Sequence, residues 1–238
     1  MKSYFKTIHR KVEYFWGKTS KKRYINYLKK RGIQIGDNFD IRGDLKTIQI
    51  DTTRPSLVSI GDNVQINSGM KIFTHDYVSR IFLHRYHDFL PSSGEVKIGN
   101  NVTFGVNCIV LKGIEIGDNC FIAAGSIVTR DIPSNCIAGG IPAKYICDID
   151  DYYEKRKKKC IDEAFKYVKS IKKRYNREPS EEDFFEEFPL FVDSRNVSKY
   201  QIIPIKRQLG EQYDLWIKNH KAMYSTMEDF INDALNNE

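Results

Sequence analysis

Three of the chain's five histidines fall in one stretch. His75, His84 and His87 lie in FTHDYVSRIFLHRYHDFLPSSGE, between Ile72 and Val96. Histidine can take or give a proton near neutral pH, and it is also a common metal ligand. His84 and His87 form HxxH, but two histidines without a third ligand make a poor zinc site. We therefore expect no metal there, and assign the pair to loop packing or substrate contact. His75 lies just behind Ile72, where a regular pattern breaks off. Asp76 adjoins it, yet neighbouring side chains usually diverge, so the two are not expected to act as a dyad. A backbone carbonyl or a more distant carboxylate could orient the ring instead. Asp51 lies in a second, shorter interruption (Thr47 to Leu57), and the bases Arg130 and Lys144 follow the last regular segment.

These residues need a scaffold, and its signature is a six-residue beat. In VKIGNNVTFGVNCIVLKGIEIGDNCFIAAGSIVT (96–129) the large apolar residues Ile98, Phe104, Val110, Ile116, Ile122 and Val128 are six apart. Smaller residues at Val102, Cys108, Ile114, Cys120 and Ser126 keep the same step. Neither a helix nor a flat strand has that period, and hexapeptide repeats belong to parallel β-helices. Ile35, Ile60, Ile98 and Ile116 each open IGDN or IGNN, expected to be corners where Gly and Asn tolerate φ > 0. Three hexapeptides would close one triangular coil, with coils starting near 35, 60, 98 and 116.

The 238 residues, 41% of them hydrophobic, suit one full-sized domain with an appendage or two small ones. We divide the chain into an arm (1–32), a repeat domain (33–147) with an inserted loop (76–95), and a charge-rich helical appendage (148–238). Its closing amphipathic stretch is placed near Tyr213 to Ala234. No apolar run reaches the ~20 residues needed to span a bilayer, and Met1 to Arg31 lacks a signal-peptide core. Five cysteines without metal-like spacing fit a reducing cytoplasm; Cys108 and Cys120 are expected in the core, and Cys136, Cys147 and Cys160 unpaired.

The net charge of +7 is uneven: residues 1–31 hold eleven lysines and arginines against one acid, Glu13, so the remainder is slightly acidic. Tyr4, Phe5, Ile8, Val12, Phe15 and Trp16 recur in this arm at roughly helical spacing. Such a helix can lie on an anionic membrane surface, each base contributing about 1 kcal/mol. It could equally attract nucleic acid or an anionic substrate. The plainer expectation is that the apolar face packs on the open end of the repeat while the lysines are solvated.

The run IGNNVTFGVNCIVLKGIEIGDNCFIAAGSIVTRDIPSNCIAGGIPAKYI resembles the hexapeptide-repeat acyltransferases, especially the galactoside, maltose and serine O-acetyltransferases and their relatives in polysaccharide gene clusters. The likeness covers roughly residues 33–147 and rests on consecutive repeats, a loop opened by THD, the TRDIP corner and the GGIPAK terminus. It implies an all-β core wound as a left-handed parallel β-helix, a homotrimer with active sites between subunits, and acetyl-CoA as acyl donor with no metal.

Acyl transfer to a hydroxyl needs a base, worth about 10²–10⁴-fold, and a donor for the oxyanion. The resemblance implies that His75 is the base. It points to Val106, Ala124, Thr129, Arg130 and Lys144 for coenzyme A, with the small Ala123, Ala124 and Gly125 admitting the pantetheine arm and the bases meeting phosphates. Asp51 matches loosely an acid that binds acceptor hydroxyls. Thr103, Phe104 and Cys147 depart from the family pattern, so nucleotide contacts are expected to differ. A zinc carbonic anhydrase of the same fold needs three histidines spread over the repeats, and none occurs between His87 and His220. The expected acceptor is a sugar of a surface polysaccharide or its lipid-linked precursor, with the chain cytoplasmic, its arm a candidate contact with the inner face of the membrane, and with no nucleic-acid partner. Alternatives are a small soluble acceptor (free sugar, serine, nucleotide-sugar amine or antibiotic) and a non-enzymatic trimeric scaffold, which would not need His75, Thr129, Arg130 and Lys144 together.

Overall fold

The computed structural model describes residues 2–237. The side chains of residues 1–8, and with them the expected apolar positions Tyr4, Phe5 and Ile8, lie outside the described residues. The chain forms two compact units, residues 1–153 and 154–238.

The first unit is a parallel β-helix with three faces, each strand covering two or three residues of one hexapeptide. The first face stacks β1 (Gln34–Ile35), β4 (Val58–Ile60), β7 (Val96–Ile98) and β10 (Ile114–Ile116). The second stacks β2 (Asp40–Ile41), β5 (Gln65–Ile66), β8 (Val102–Phe104), β11 (Cys120–Ile122) and β13 (Cys136–Gly140), to which β14 (Ala143–Asp148) adds antiparallel. The third holds β3 (Gln49–Ile50), β6 (Lys71–Ile72), β9 (Ile109–Val110) and β12 (Ile127–Val128). Like pairs with like from coil to coil: Ile60 aligns with Ile98, Ile98 with Ile116, and Ile72 with Val110. Both sequence registers point inward, since Ile98, Phe104, Val110, Ile116, Ile122 and Val128 are all buried, as are Val102, Cys108, Ile114, Cys120 and Ser126. Burying an aliphatic or aromatic side chain of this size contributes about 1.5–3 kcal/mol, repeated on each face of successive coils. The parallel stacking fits the left-handed β-helix implied by the resemblance.

The IGDN corners connect the first face to the second. Asn38, Asn63, Asn101 and Asn119 take the left-handed conformation, with φ of 54–56°. The glycines do something else. A Cβ on Gly36, Gly61 or Gly99 would stand 2.2–2.5 Å from the Asp or Asn oxygen of the next coil, so glycine is needed for close approach, not for positive φ.

The arm is two helices, α1 (Lys2–Gly17) and α2 (Lys21–Arg31). Ser20 caps α2 and Gly32 ends it. Tyr24, Tyr27 and Leu28 of α2 join the core beside Ile33, Phe39 and Ile41 of the first coil. The expectation that the arm's apolar stripe packs on the open end is corrected in part: α2 closes that end, whereas Val12, Phe15 and Trp16 of α1 are exposed. Lys18 is not a solvated lysine either; its Nζ donates to Leu45 O at 2.7 Å and to Ile48 O, over the Tyr24 ring.

A long helix, α4 (Ile149–Tyr175), follows β14 in the chain; α3 (Ser79–Tyr86) belongs to the inserted loop. The second unit packs Val168 and Ile171 of α4 against Phe184, Phe188, Phe191 and Phe230. The closing stretch is broken into α6 (Tyr213–Asn219) and α7 (Met227–Asn236), after a short α5 (Ile205–Leu209). His220 Nε2–H donates to Pro189 O, 2.6 Å away, and Thr226 caps α7, which divides what periodicity alone joins. Among the described residues no helix is long and apolar enough to cross a membrane.

Candidate active site

Both interruptions of the repeat leave from the same corner, between the third face and the first. One follows β3 and carries Asp51; the other follows β6 and carries Thr74, His75 and α3. Adjacent coils therefore bring together residues 24 positions apart: His75 Nδ1 lies 2.7 Å from Asp51 Oδ2. The sequence left a more distant carboxylate open as the orienting group, and Asp51 occupies that position.

Asp51 is buried and fully engaged. Oδ1 accepts from the Thr53 N–H at 2.8 Å and its hydroxyl at 2.7 Å; Oδ2 accepts from the Thr74 hydroxyl at 2.5 Å as well as facing His75. Burial by itself would raise this carboxyl, but the hydrogen bonds from Thr74, Thr53 and His75 outweigh it and hold Asp51 well below the usual carboxylate range. An ionised carboxylate can only accept, so the proton between the two groups resides on His75 Nδ1. Nε2 is then the ring's basic nitrogen, with no hydrogen-bond partner among the described residues. The His75 side chain is 15% exposed, enough for a reactant to reach that edge. Tyr77 stands edge-on beside the ring, centroids 5.4 Å apart.

Asp76 turns away, as neighbouring side chains were expected to do. Its Oδ2 pairs with Lys112 Nζ at 2.8 Å and accepts from the Ser92 hydroxyl at 2.9 Å, while Oδ1 accepts from the Val78 N–H. Lys112 also donates to Ser92. The Lys112 ammonium, with these hydrogen bonds, holds Asp76 down to about 2. This cluster ties both ends of the loop to the next coil, and Gly94 N donates to Thr74 O at 2.9 Å to close it. His84 and His87 lie apart from His75's partners, on α3 and at its left-handed end.

Of the residues expected to hold coenzyme A, Val106, Ala124, Thr129 and Arg130 fall on the two edges of the third face. Successive corner hydrogen bonds, Asp51 N to Ile72 O, Phe73 N to Val110 O and Leu111 N to Val128 O, run down one edge to Thr129 and Arg130. Thr129 is two coils beyond His75's coil, roughly 10 Å along the axis at one strand spacing per coil. On the opposite edge Gly125 N donates to Val106 O at 2.8 Å, stacking Ala124's corner on Val106's. A Cβ on Gly105 would strike Ala124 N at 2.5 Å, but one on Gly125 would meet nothing within 4 Å, so the last coil leaves open space beside small residues. Lys144 is exposed on β14 opposite Gly139. Neither Arg130 nor Lys144 has an ion-pair partner among the described residues. Of the departures from the family pattern, Phe104 is core and Thr103 half-buried on β8.

Comparison with known proteins bears on the same coils. The family model described as the hexapeptide repeat of succinyl-transferase matches residues 95–130. Protein CapG of Staphylococcus aureus is 39% identical over 132 residues, 54% of this chain and 73% of its own length. The chain belongs to the hexapeptide-repeat acyltransferases. This acyltransferase is also 40% identical over 124 residues to the galactoside O-acetyltransferase of Escherichia coli (strain K12), spanning 50% of the chain and 55% of that relative. Among solved structures, a maltose O-acetyltransferase from Clostridium difficile 630 aligns over 59% of the acyltransferase and 84% of its own chain, at 25% identity and a TM-score of 0.45.

Sequence reasoning missed Thr53, Thr74 and Lys112. The available signal was phase: Ile50 and Ile72 each end the third hexapeptide of a coil, so anything inserted after them leaves from one corner.

Proposed function

We propose that this acyltransferase is an acetyl-CoA-dependent O-acetyltransferase with a left-handed β-helix, in which His75 is the general base and Asp51 its positioning residue. The observation that carries the reading is the 2.7 Å contact between His75 Nδ1 and an Asp51 carboxylate kept ionised by Thr53 and Thr74. Nε2 takes the proton of an acceptor hydroxyl as its oxygen attacks the thioester carbonyl. The tetrahedral intermediate then collapses, the C–S bond breaks, and the departing sulfur recovers the proton from His75. Asp51 stabilises the imidazolium formed between these steps. With both oxygens occupied by protein donors, Asp51 acts through His75, and the acceptor is met by the loop.

Donor binding follows the third face, with pantetheine beside Ala124 and Gly125 and the phosphates near Arg130 and Lys144. The acceptor is a sugar of a surface polysaccharide or its precursor; the galactoside relative supports a sugar. Tyr77, Ile81, Tyr86, Phe89 and Leu90 of the inserted loop are exposed, an apolar surface that a neighbouring subunit would cover, in keeping with a homotrimer whose sites lie between subunits. Thiol release from acetyl-CoA, followed with a panel of sugars and polysaccharides, tests the reading. Sugar-dependent release by wild type and its loss in His75→Ala are expected; equal rates in the two would sink it.

A further inference from the structure

The outer side of α1 has no role in this chemistry. Its orientation is fixed from beneath. Gly17 is buried where α1 meets α2, and a Cβ there would lie 3.1 Å from Tyr27 Cβ. Tyr14 meets the Tyr27 ring edge-on at 5.9 Å, and Glu13 pairs with Lys30 at 2.5 Å. With that side of the helix committed, Val12, Phe15 and Trp16 face outward, 59%, 68% and 60% exposed. Their spacing of three and four makes them neighbours on one helix surface. Lys11, one turn before Phe15, and Lys22, beside Arg23 at the start of α2, are exposed, and the Arg23 guanidinium lies 4.0 Å from the Trp16 ring.

We infer that this face docks on an anionic lipid bilayer, with Val12, Phe15 and Trp16 entering the boundary between headgroups and acyl chains. The choice of occupant rests on two properties held together. A second copy would cover the apolar residues but would bring two strongly cationic arms into contact. A nucleic acid would neutralise the bases but leave Val12 and Phe15 without a partner. A bilayer surface satisfies both, since indole and phenyl rings favour the interfacial layer while lysine and arginine meet lipid phosphates. The attachment is peripheral in this arm, whose α1 covers only 16 residues. It is independent of the acetyl-transfer reading.

The test is flotation of the full chain with phosphatidylcholine vesicles, with and without about one-third phosphatidylserine, at about 0.05 M and about 0.5 M salt. Wild type is expected to float with the anionic vesicles at low salt and to be released at high salt. The double variant Phe15→Ser/Trp16→Ser should lower the partition coefficient at least about tenfold, and Lys11→Glu/Lys22→Glu should reduce both binding and its salt dependence. Circular dichroism verifies that each variant keeps its fold. Absence of flotation at low salt overturns the proposal, as does flotation that the Phe15→Ser/Trp16→Ser change leaves intact. So does displacement from vesicles by duplex oligonucleotide that this variant fails to alter, or self-association that the variant abolishes.

Discussion

Two corners of the same β-helix are built on opposite plans. Where the first face turns into the second, every coil repeats one solution. Asp37 N donates to Asp62 Oδ1, Asp62 N to Asn100 Oδ1, Asn100 N to Asp118 Oδ1, and Asp118 N to the Ser134 hydroxyl. Beside this ladder run amide side chains, Asn101 to Asn119 at 2.9 Å and Asn119 to Asn135 at 2.8 Å. Where the third face turns into the first, no two coils agree: one carries Asp51, the next His75 and its loop, the next Lys112, the last Arg130. The regular corner sets coil spacing and register; the irregular one uses that register to align groups that are far apart in sequence. A repeat can hold chemistry to a fraction of an ångström provided one corner stays uniform while another varies.

This contrast predicts that function and stability separate by corner. The largest effect belongs to His75→Ala, expected to lower kcat about 10²–10⁴-fold in steady-state assays with melting nearly unchanged. Asp51→Asn is where the separation should fail. It leaves His75 without a fixed tautomer and replaces one of the two oxygens that Thr53 and Thr74 donate to with an NH2 donor. We expect kcat to fall about 10²-fold with KM for acetyl-CoA held, together with about 1–3 kcal/mol of lost stability in urea unfolding. At the regular corner, Gly99→Val places a Cβ 2.4 Å from Asp118 Oδ1 and 2.9 Å from Gly117 C. It should cost about 2–3 kcal/mol by denaturant titration while the activity per folded molecule is kept. Asn119→Ala, which loses an amide rung and a side chain suited to φ of 56°, should cost about 1 kcal/mol, again without a kinetic effect.

The mildest effect is a pH response at the irregular corner. Asp76 is held down to about 2 by Lys112, below the ordinary aspartate value of about 3.9. Its contribution to holding the loop is therefore complete above about pH 4 and fades as the pH falls towards 2. Proteolytic nicking of residues 76–95 by an acid-active protease should rise across that window in wild type. In Asp76→Asn it should be high and flat throughout.

The sequence made the regular parts legible and left the contacts between irregular parts hidden. Six-residue spacing located both buried registers and the coil starts near 35, 60, 98 and 116, because each hexapeptide reports on its own geometry. The same logic carried Asn to the left-handed corners but misjudged the glycines, whose reason is the neighbouring coil. His75 could be singled out from its place behind Ile72. Its partner could not, because Asp51 and His75 are joined only by the stacking of β3 on β6. The arm illustrates the limit from the other side: helical periodicity identified Val12, Phe15 and Trp16 as one stripe, whereas Gly17 and Tyr14 decided which way it faces.

Lys18 gives the arm a second consequence. A β-helix ends in a coil whose outward carbonyls have no next strand, and such an edge is a template for fibrous growth. By donating to Ile48 O beneath the aromatic cover of α2, Lys18 occupies an acceptor that an incoming strand would need, in the position that Met70 O and Cys108 O hold in the next two coils. The first coil is thus a terminus and not a growing end. Removing residues 1–31 should convert it into one, seen as concentration-dependent light scattering and a rise in thioflavin fluorescence; a monodisperse truncated protein would show that the edge is silenced by other means.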